Sequence, residues 1–334
     1  MRAVQRPCGS RIRFTVAARS RSIAKSTVNS TAHQTGTGVH MLRVAALASA
    51  LFILTPGVVA PVLAAEPPRK IYAQELVDQI VAAHPEIAVV AMHVKPPKAS
   101  DNVIIASNIG RIGKKADADD QRVIDTGMPN LSVNKAGDRY EVELVMKDAS
   151  HRPIGAIGIV FPYKAGDDRN ALQKKAEKIR DDLARRISHV ANLMENYLFD
   201  ASVPTHTFAQ HLVDTALDAN GDIIIIAMHV ATKSNASYPI IASNIGRIGK
   251  KADEDDMDVI KTGKPKLEIN ETGDRFESEG VLHDAGGKVI GAVGVVFPYK
   301  KGDDQEALHK KADEVRDAMA RQIATVDALL QPAP

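Results

Sequence analysis

The block with the clearest chemical potential reads Ser107-Asn108-Ile109-Gly110-Arg111-Ile112-Gly113-Lys114-Lys115. Its glycines let backbone N–H groups turn toward a concavity, and a helix start just downstream favours an anion. Arg111 can grip a carboxylate with two parallel donors, and Lys114 adds a point charge. The block recurs at 243–251, where Asn244, Arg247 and Lys250 take the places of Asn108, Arg111 and Lys114. It is neither a phosphate loop, whose G-x-x-x-x-G-K-[ST] spacing is absent, nor a dinucleotide fingerprint, since only G-x-x-G is present. Two readings stay open: a small-anion site, or a turn whose solvated basic face is neutralised by Asp117, Asp119 and Asp120. Those acids, copied as Asp253, Asp255 and Asp256, lack the glycine and distal glutamate of a calcium loop. Capping of a helix start suits them better. His93 and His229 lie on expected strands with no second histidine at ligand spacing, and read as core or surface histidines rather than metal ligands. No nucleophile elbow, H-E-x-x-H or paired-carboxylate motif of recognisable context occurs, so no catalysis, cofactor or metal is expected.

The elements that must position these residues are written twice. At an offset of 136, Ala73–Ile187 aligns with Ala209–Ile323 without a gap, and 64 of 115 positions are identical. A repeat of that length is a whole domain rather than a solenoid unit. The expected domains are 70–198 and 206–330. Within the first, Leu76, Val77 and Ile80 give helical spacing over Tyr72–Ala83, ending near His84-Pro85. Ile87–Val94 and Val103–Ile109 are strand-like, Asp117–Thr126 is a short helix, and Asn130–Asn134, Arg139–Lys147 and Pro153–Tyr163 are three further strands. Asp167–Tyr197 reads as one long amphipathic helix, with Leu172, Ile179, Leu183, Ile187, Val190 and Leu193 on a stripe. Tyr163 and Tyr299 end the last strand of each repeat, where they either close a pocket mouth or pack.

Strand alternation separates the copies. Tyr140, Val142, Leu144 and Met146 share one face of the fourth strand, and Glu141, Glu143 and Val145 the other. The second face recurs unchanged as Glu277, Glu279 and Val281. The first becomes Phe276, Ser278, Gly280 and Leu282, which loses several methyl-sized volumes and gains a hydroxyl. If that face looks inward, a larger ligand cavity in the second repeat is expected, unless neighbouring side chains fill the space; alternatively the paired glutamates line the pocket and meet Arg111 or Arg247.

Charge divides the chain differently. The 334 residues carry 43 Lys and Arg against 41 Asp and Glu, a net charge of +2. Residues 1–65 hold eight basic residues and no acidic one. From Met41 they read as a signal peptide: a basic start, an apolar run from Val44 to Val59 broken by Pro56-Gly57, then small residues before Glu66. The apolar run is short for a bilayer span. Residues 1–40 are expected to be an upstream segment, untranslated or disordered, and 41–65 a cleaved signal. The remainder has 35 basic and 41 acidic residues, net −6, which gives nucleic-acid binding no support. Cys8 is the only cysteine and leaves with the leader.

Helix, two strands, short helix and a three-stranded meander, together with the Asp284-to-Val295 hairpin pattern D-x-x-G-x-x-I-G-x-x-G-V, resemble extracytoplasmic Cache domains, which are PAS-like sensors. The resemblance spans both repeats. It implies an α+β fold of two PAS/Cache-like domains, each an antiparallel sheet of about five strands flanked by a long helix at each end. It also implies a small-molecule pocket between the sheet and the loops after strand two. The chain departs from receptor ectodomains of that family, because it ends at Gln331-Pro-Ala-Pro without a span or output domain. The expected function is a periplasmic tandem sensory or solute-binding protein for a small anionic metabolite, reporting to a membrane receptor or transporter, with a homodimer as a further option. The expected ligand residues are Asn108, Arg111, Lys114, Tyr140 and Tyr163, with Asn244, Arg247, Lys250, Phe276, Ser278 and Tyr299 in the second repeat. The alternative is a ligand-free scaffold that docks to a membrane receptor through its long helices.

Overall fold

The computed structural model describes residues 70–333. The expected upstream segment and signal peptide lie outside them. In the first repeat the order is α1 (Tyr72–Ala83), β1 (Val89–Val94), β2 (Val103–Ser107), α2 (Ala118–Thr126), β3 (Asn130–Val133), β4 (Arg139–Lys147), β5 (Pro153–Pro162), α3 (Arg169–Ala184) and α4 (Val190–Leu193). The second repeats it: α5 (Phe208–Ala219), β6 (Ile225–Val230), β7 (Ile240–Ser243), α6 (Glu254–Thr262), β8 (Lys266–Ile269), β9 (Arg275–His283), β10 (Val289–Pro298), α7 (Gln305–Ala320) and α8 (Val326–Leu329). Each repeat has one five-stranded antiparallel sheet, ordered β2-β1-β5-β4-β3 and β7-β6-β10-β9-β8. The architecture is α+β and compatible with two PAS-like domains.

Sequence pattern accounts for the layers. Val142, Leu144 and Met146 alternate with Glu141, Glu143 and Val145 along β4, so the two sets face opposite sides. The first set joins Leu76 and Val77 of α1, Ile157 and Ile159 of β5, and Ile179 and Leu183 of α3 in one buried core. The other face carries α2, whose Val123 packs on Val145 and Ala156. Helix ends follow their side chains. Asp117 caps α2 by accepting from the backbone N–H groups of Asp119 and Asp120, while Asp120 returns a bond to Asp117 N. Asp253 and Asp256 do the same at α6. The acidic trio thus caps helices.

The long helix expected over Asp167–Tyr197 is two pieces. α3 stops at Ala184, and α4 starts after His189, whose backbone is extended. Asn192 Oδ1 accepts from Ser188 N, and Ile187 O accepts from Ala149 N, so local side-chain and strand-turn partners replace the helical ladder there. The stripe residues Ile179, Leu183, Ile187 and Leu193 are buried in their own repeat. Leu172 and Val190 of the stripe are partly buried against the same core.

The segment after α3 instead joins the repeats. Ala149, in the β4–β5 turn, packs with Ile224, Ile225, Ile245 and Val296 of the second repeat. Arg152 bonds Asp274 at 3.0 Å, and Arg275 reaches Ser150 Oγ at 3.0 Å and Ser188 O at 2.6 Å.

Candidate functional site

The repeated loop takes one shape in two settings. Arg111 and Arg247 have φ of +63° and +64°, and the flanking Gly110, Gly113, Gly246 and Gly249 are also left-handed. Local bonds agree: Asn108 Oδ1 accepts from Val90 N and its amide donates to Ala88 O, as Asn244 does with Ile226 N and Ile224 O. The surroundings differ. In the second repeat Asn244 also donates to Arg185 O at 2.7 Å. Asn192 donates to Ile245 O at 3.1 Å, and Arg247 forms a two-pronged pair with Glu195, both bonds 2.9 Å. The fork of Arg247 was expected to hold a bound small anion; here a carboxylate of the first repeat takes it. Arg111 and its neighbours are exposed, with Lys114 3.8 Å from Asp117.

The remaining expected ligand residues lie apart from this loop. Tyr140 and Tyr163 are buried at 5.8 Å between ring centres, with the Arg169 guanidinium over both. Phe276 and Tyr299 repeat the pair at 6.2 Å. Tyr140 is on β4 and Tyr163 just past β5, and β1 stands between β5 and β2, which leads into the loop; Phe276 on β9 and Tyr299 past β10 are placed likewise. The structure therefore groups the aromatic residues with one another and not with Asn108, Arg111 or Lys114. Lys250, at the matching end of the second loop, is half-buried.

The altered face of β9 is filled. A Cβ on Gly280 would lie 2.6 Å from Arg316 Nε. Arg316 is buried and donates to the carbonyl of Ser278 at 2.9 Å and to its hydroxyl at 3.2 Å, while His309 Nδ1 lies 2.9 Å from the same hydroxyl. In the first repeat Leu144 stands where the second has Gly280, and the counterpart Arg180 pairs with Asp181. Close packing takes back the volume at Gly280. What is left is a cavity of about 310 Å³ beside Arg316, His309 and Asp313.

Sequence reasoning missed a cluster on the opposite face. His93 from β1, Asp120 from α2 and Glu143 from β4 are all buried. His93 Nδ1 lies 3.0 Å from Asp120 Oδ2, though misaligned for a directed bond. Burial, and then the neighbouring Asp120, push the Glu143 carboxyl up to about 9. Burial opposes ionisation of Asp120 too, but the neighbouring His93 and Glu143 and the Asp117 backbone N–H hold it below the usual carboxylate range. Glu279 is likewise pushed up to about 9 beside a lowered Asp256, with His229 3.6 Å away. The buried Oε1 of each glutamate meets no protein donor. A glutamate that keeps its proton beside an ionised aspartate carries its own donor, the state that the raised Glu143 and Glu279 and the lowered Asp120 and Asp256 describe. The signal in the sequence was the pair of glutamates two apart, unchanged in both copies.

A cavity of about 790 Å³ opens between the repeats. Leu76 and Ile80 of α1 and Ile179 and Leu183 of α3 form its apolar wall, Ile241 and Ile248 close it from the second repeat, and Tyr72 and Tyr197 stand 6.0 Å apart beside them. Burial pushes the Tyr197 phenol up to about 12. Arg186 enters from one side and donates to Gln79 Oε1 at 3.1 Å. Glu75, Asp78, Asp182 and Asp214 also line it, and Lys70 bonds the first two at 2.5 and 2.6 Å. A domain junction with apolar walls and few polar groups is a usual place for a small-molecule site.

No protein-family model matches the chain, and no curated protein matches it in sequence. Among solved structures, it is similar to PelD (residues 158 to the C-terminus) from Pseudomonas aeruginosa PAO1, at 13% identity over 77% of this chain and 79% of that one, TM-score 0.25. The E. coli DhaR(N)–DhaL complex shows 9% identity over 69% and 85%, TM-score 0.26. An RNA-binding light-oxygen-voltage receptor shows 10% over 70% and 99%, TM-score 0.18. Likeness at these scores carries no argument about function.

Proposed function

We propose that the chain is a sensory or solute-binding module that holds a small molecule between its two repeats and reports the occupied state to a partner. The cavity of about 790 Å³ supports this, because its walls come from both repeats. A molecule touching α1 and the end of β7 together favours the docked arrangement of the repeats, and its binding energy becomes a bias on that arrangement. The apolar walls suit an apolar body. The four lining carboxylates are paired with Lys70, Lys178 and Arg186, so the rim suits a neutral polar end better than the anion expected from the sequence. The role needs no bond-making chemistry. Export to the periplasm and a receptor, transporter or second copy as partner belong to the same proposal.

The test is a thermal-shift screen of residues 66–334 against neutral, cationic and anionic metabolites. A saturable rise in Tm that disappears in Ile80→Trp, which fills the cavity, and persists in Arg111→Ala supports the reading. A rise lost in Arg111→Ala and kept in Ile80→Trp moves the site to the loop. No rise with any class overturns small-molecule binding.

A further inference from the structure

The second copy of the loop shows what the first is shaped to do. In the second repeat the two glycines are required by close approach: a Cβ on Gly246 would lie 2.6 Å from the Tyr72 ring, and one on Gly249 would lie 2.3 Å from Asp200 N. Nothing lies within 4 Å of the same positions on Gly110 and Gly113, yet both keep positive φ. The first copy holds the docked conformation without an occupant. Ile109 is 43% exposed and Ile112 60%, whereas Ile245 and Ile248 are buried beneath the first repeat. Among the described residues Arg111 has no counterpart to the carboxylate that Arg247 finds in Glu195, whereas Lys114 and Lys115 beside it lie 3.8 Å from Asp117 and 2.9 Å from Asp101.

The occupant follows from the template. Loop 243–249 is covered by residues 185–200: Asn192 and Glu195, three apart around the end of α4, and then an extended apolar stretch in which Phe199 N donates to Ile248 O at 2.9 Å. The second repeat's own version of that surface has lost these groups. Asn192 becomes Ala328, Glu195 becomes Gln331, and the Tyr72 that bonds Asn244 O becomes Phe208. A second copy of this chain is therefore poorly equipped to dock head-to-tail. We propose that loop 107–115 is a docking site for a different protein that presents a helix end built like this chain's residues 185–200, with one carboxylate in the place of Glu195 for Arg111 and apolar side chains over Ile109 and Ile112. Charge complementarity and the geometry of the occupied twin both point to that partner, independently of the small-molecule reading.

The test uses a fluorescent peptide of residues 185–201, plain and with a staple across 190–194 that fixes the helical turn and leaves Asn192 and Glu195 in place, titrated against residues 66–334 by anisotropy. Saturable binding below about 1 mM is expected, weakened at least about tenfold by Arg111→Glu and recovered when the Arg111→Glu protein meets a peptide carrying Glu195→Lys. Arg111 is exposed, so its replacement leaves folding intact, which circular dichroism checks. Binding unchanged by Arg111→Glu, or no saturation by either peptide, overturns the proposal. So does concentration-dependent self-association of the unmodified chain that Arg111→Glu abolishes, because the partner would then be a second copy.

Discussion

Residues 107–113 and 243–249 have the same sequence and the same backbone shape, but one loop lies in solvent and the other under a neighbouring repeat. The comparison teaches that a local fold and its use are separable. Ser-Asn-Ile-Gly-Arg-Ile-Gly suffices for the turn in either place. Whether Arg247 is a latch or Arg111 a free cation is decided by whether Glu195 is within reach. The strands β4 and β9 teach the converse, since there a changed face keeps the same fold by recruiting a different filler, Leu144 in one repeat and Arg316 in the other.

The largest effect should come from exchanging those fillers. Leu144→Gly removes a buried side chain and loosens a central strand, at a cost of about 3–5 kcal/mol. Gly280→Leu must displace Arg316 from its bonds to Ser278 and should cost about 1–3 kcal/mol. Denaturant melts of both variants measure the difference; equal losses would mean that Arg316 yields freely. Next in size, Asn244→Ala leaves the Arg185 and Ile224 carbonyls and the Ile226 amide without partners, and should cost about 2–3 kcal/mol. Asn108→Ala removes only its two bonds within the repeat and should cost about 1 kcal/mol.

These contrasts mark what could be read in the sequence. The duplicated element order, the capping aspartates and the alternation of β4 are local patterns, and they were legible from side-chain type and spacing. The break after Ala184 was not, because no proline or glycine signals it and its cause is a distant strand turn. Nor could two identical loops announce different surroundings. The His93–Asp120–Glu143 cluster was hidden for a similar reason: its members come from three elements that meet only after β1, α2 and β4 are assembled.

That cluster sharpens the comparison through pH. The native Glu143 and Glu279 carboxyls, at about 9, keep a proton that the unfolded chain gives up in the ordinary carboxylate range. Stability contributed by each should be full below that range and decline as pH rises toward 9. The lowered Asp120 and Asp256 act oppositely, and their contribution is lost as pH falls. Glu143→Gln should flatten the fall in Tm between pH 5 and 9 that belongs to the first repeat, and Glu143→Gln with Glu279→Gln should flatten both. An unchanged pH profile would remove the retained proton from either cluster. Among the smaller effects is the arginine pair. Glu195→Ala or Arg247→Ala should cost about 1–2 kcal/mol, because each leaves a half-buried charge without its partner. Arg111→Ala should stay within about 0.5 kcal/mol, as for other exposed sites.

Hydrogen exchange tests the central claim most directly, because the two loops are chemically identical and each is the other's control. Amides of residues 243–249 should exchange at least about 100-fold more slowly than those of 107–113, and Glu195→Ala should narrow the gap. Equal exchange in the two loops would contradict the claim that one is latched between repeats and the other stands open.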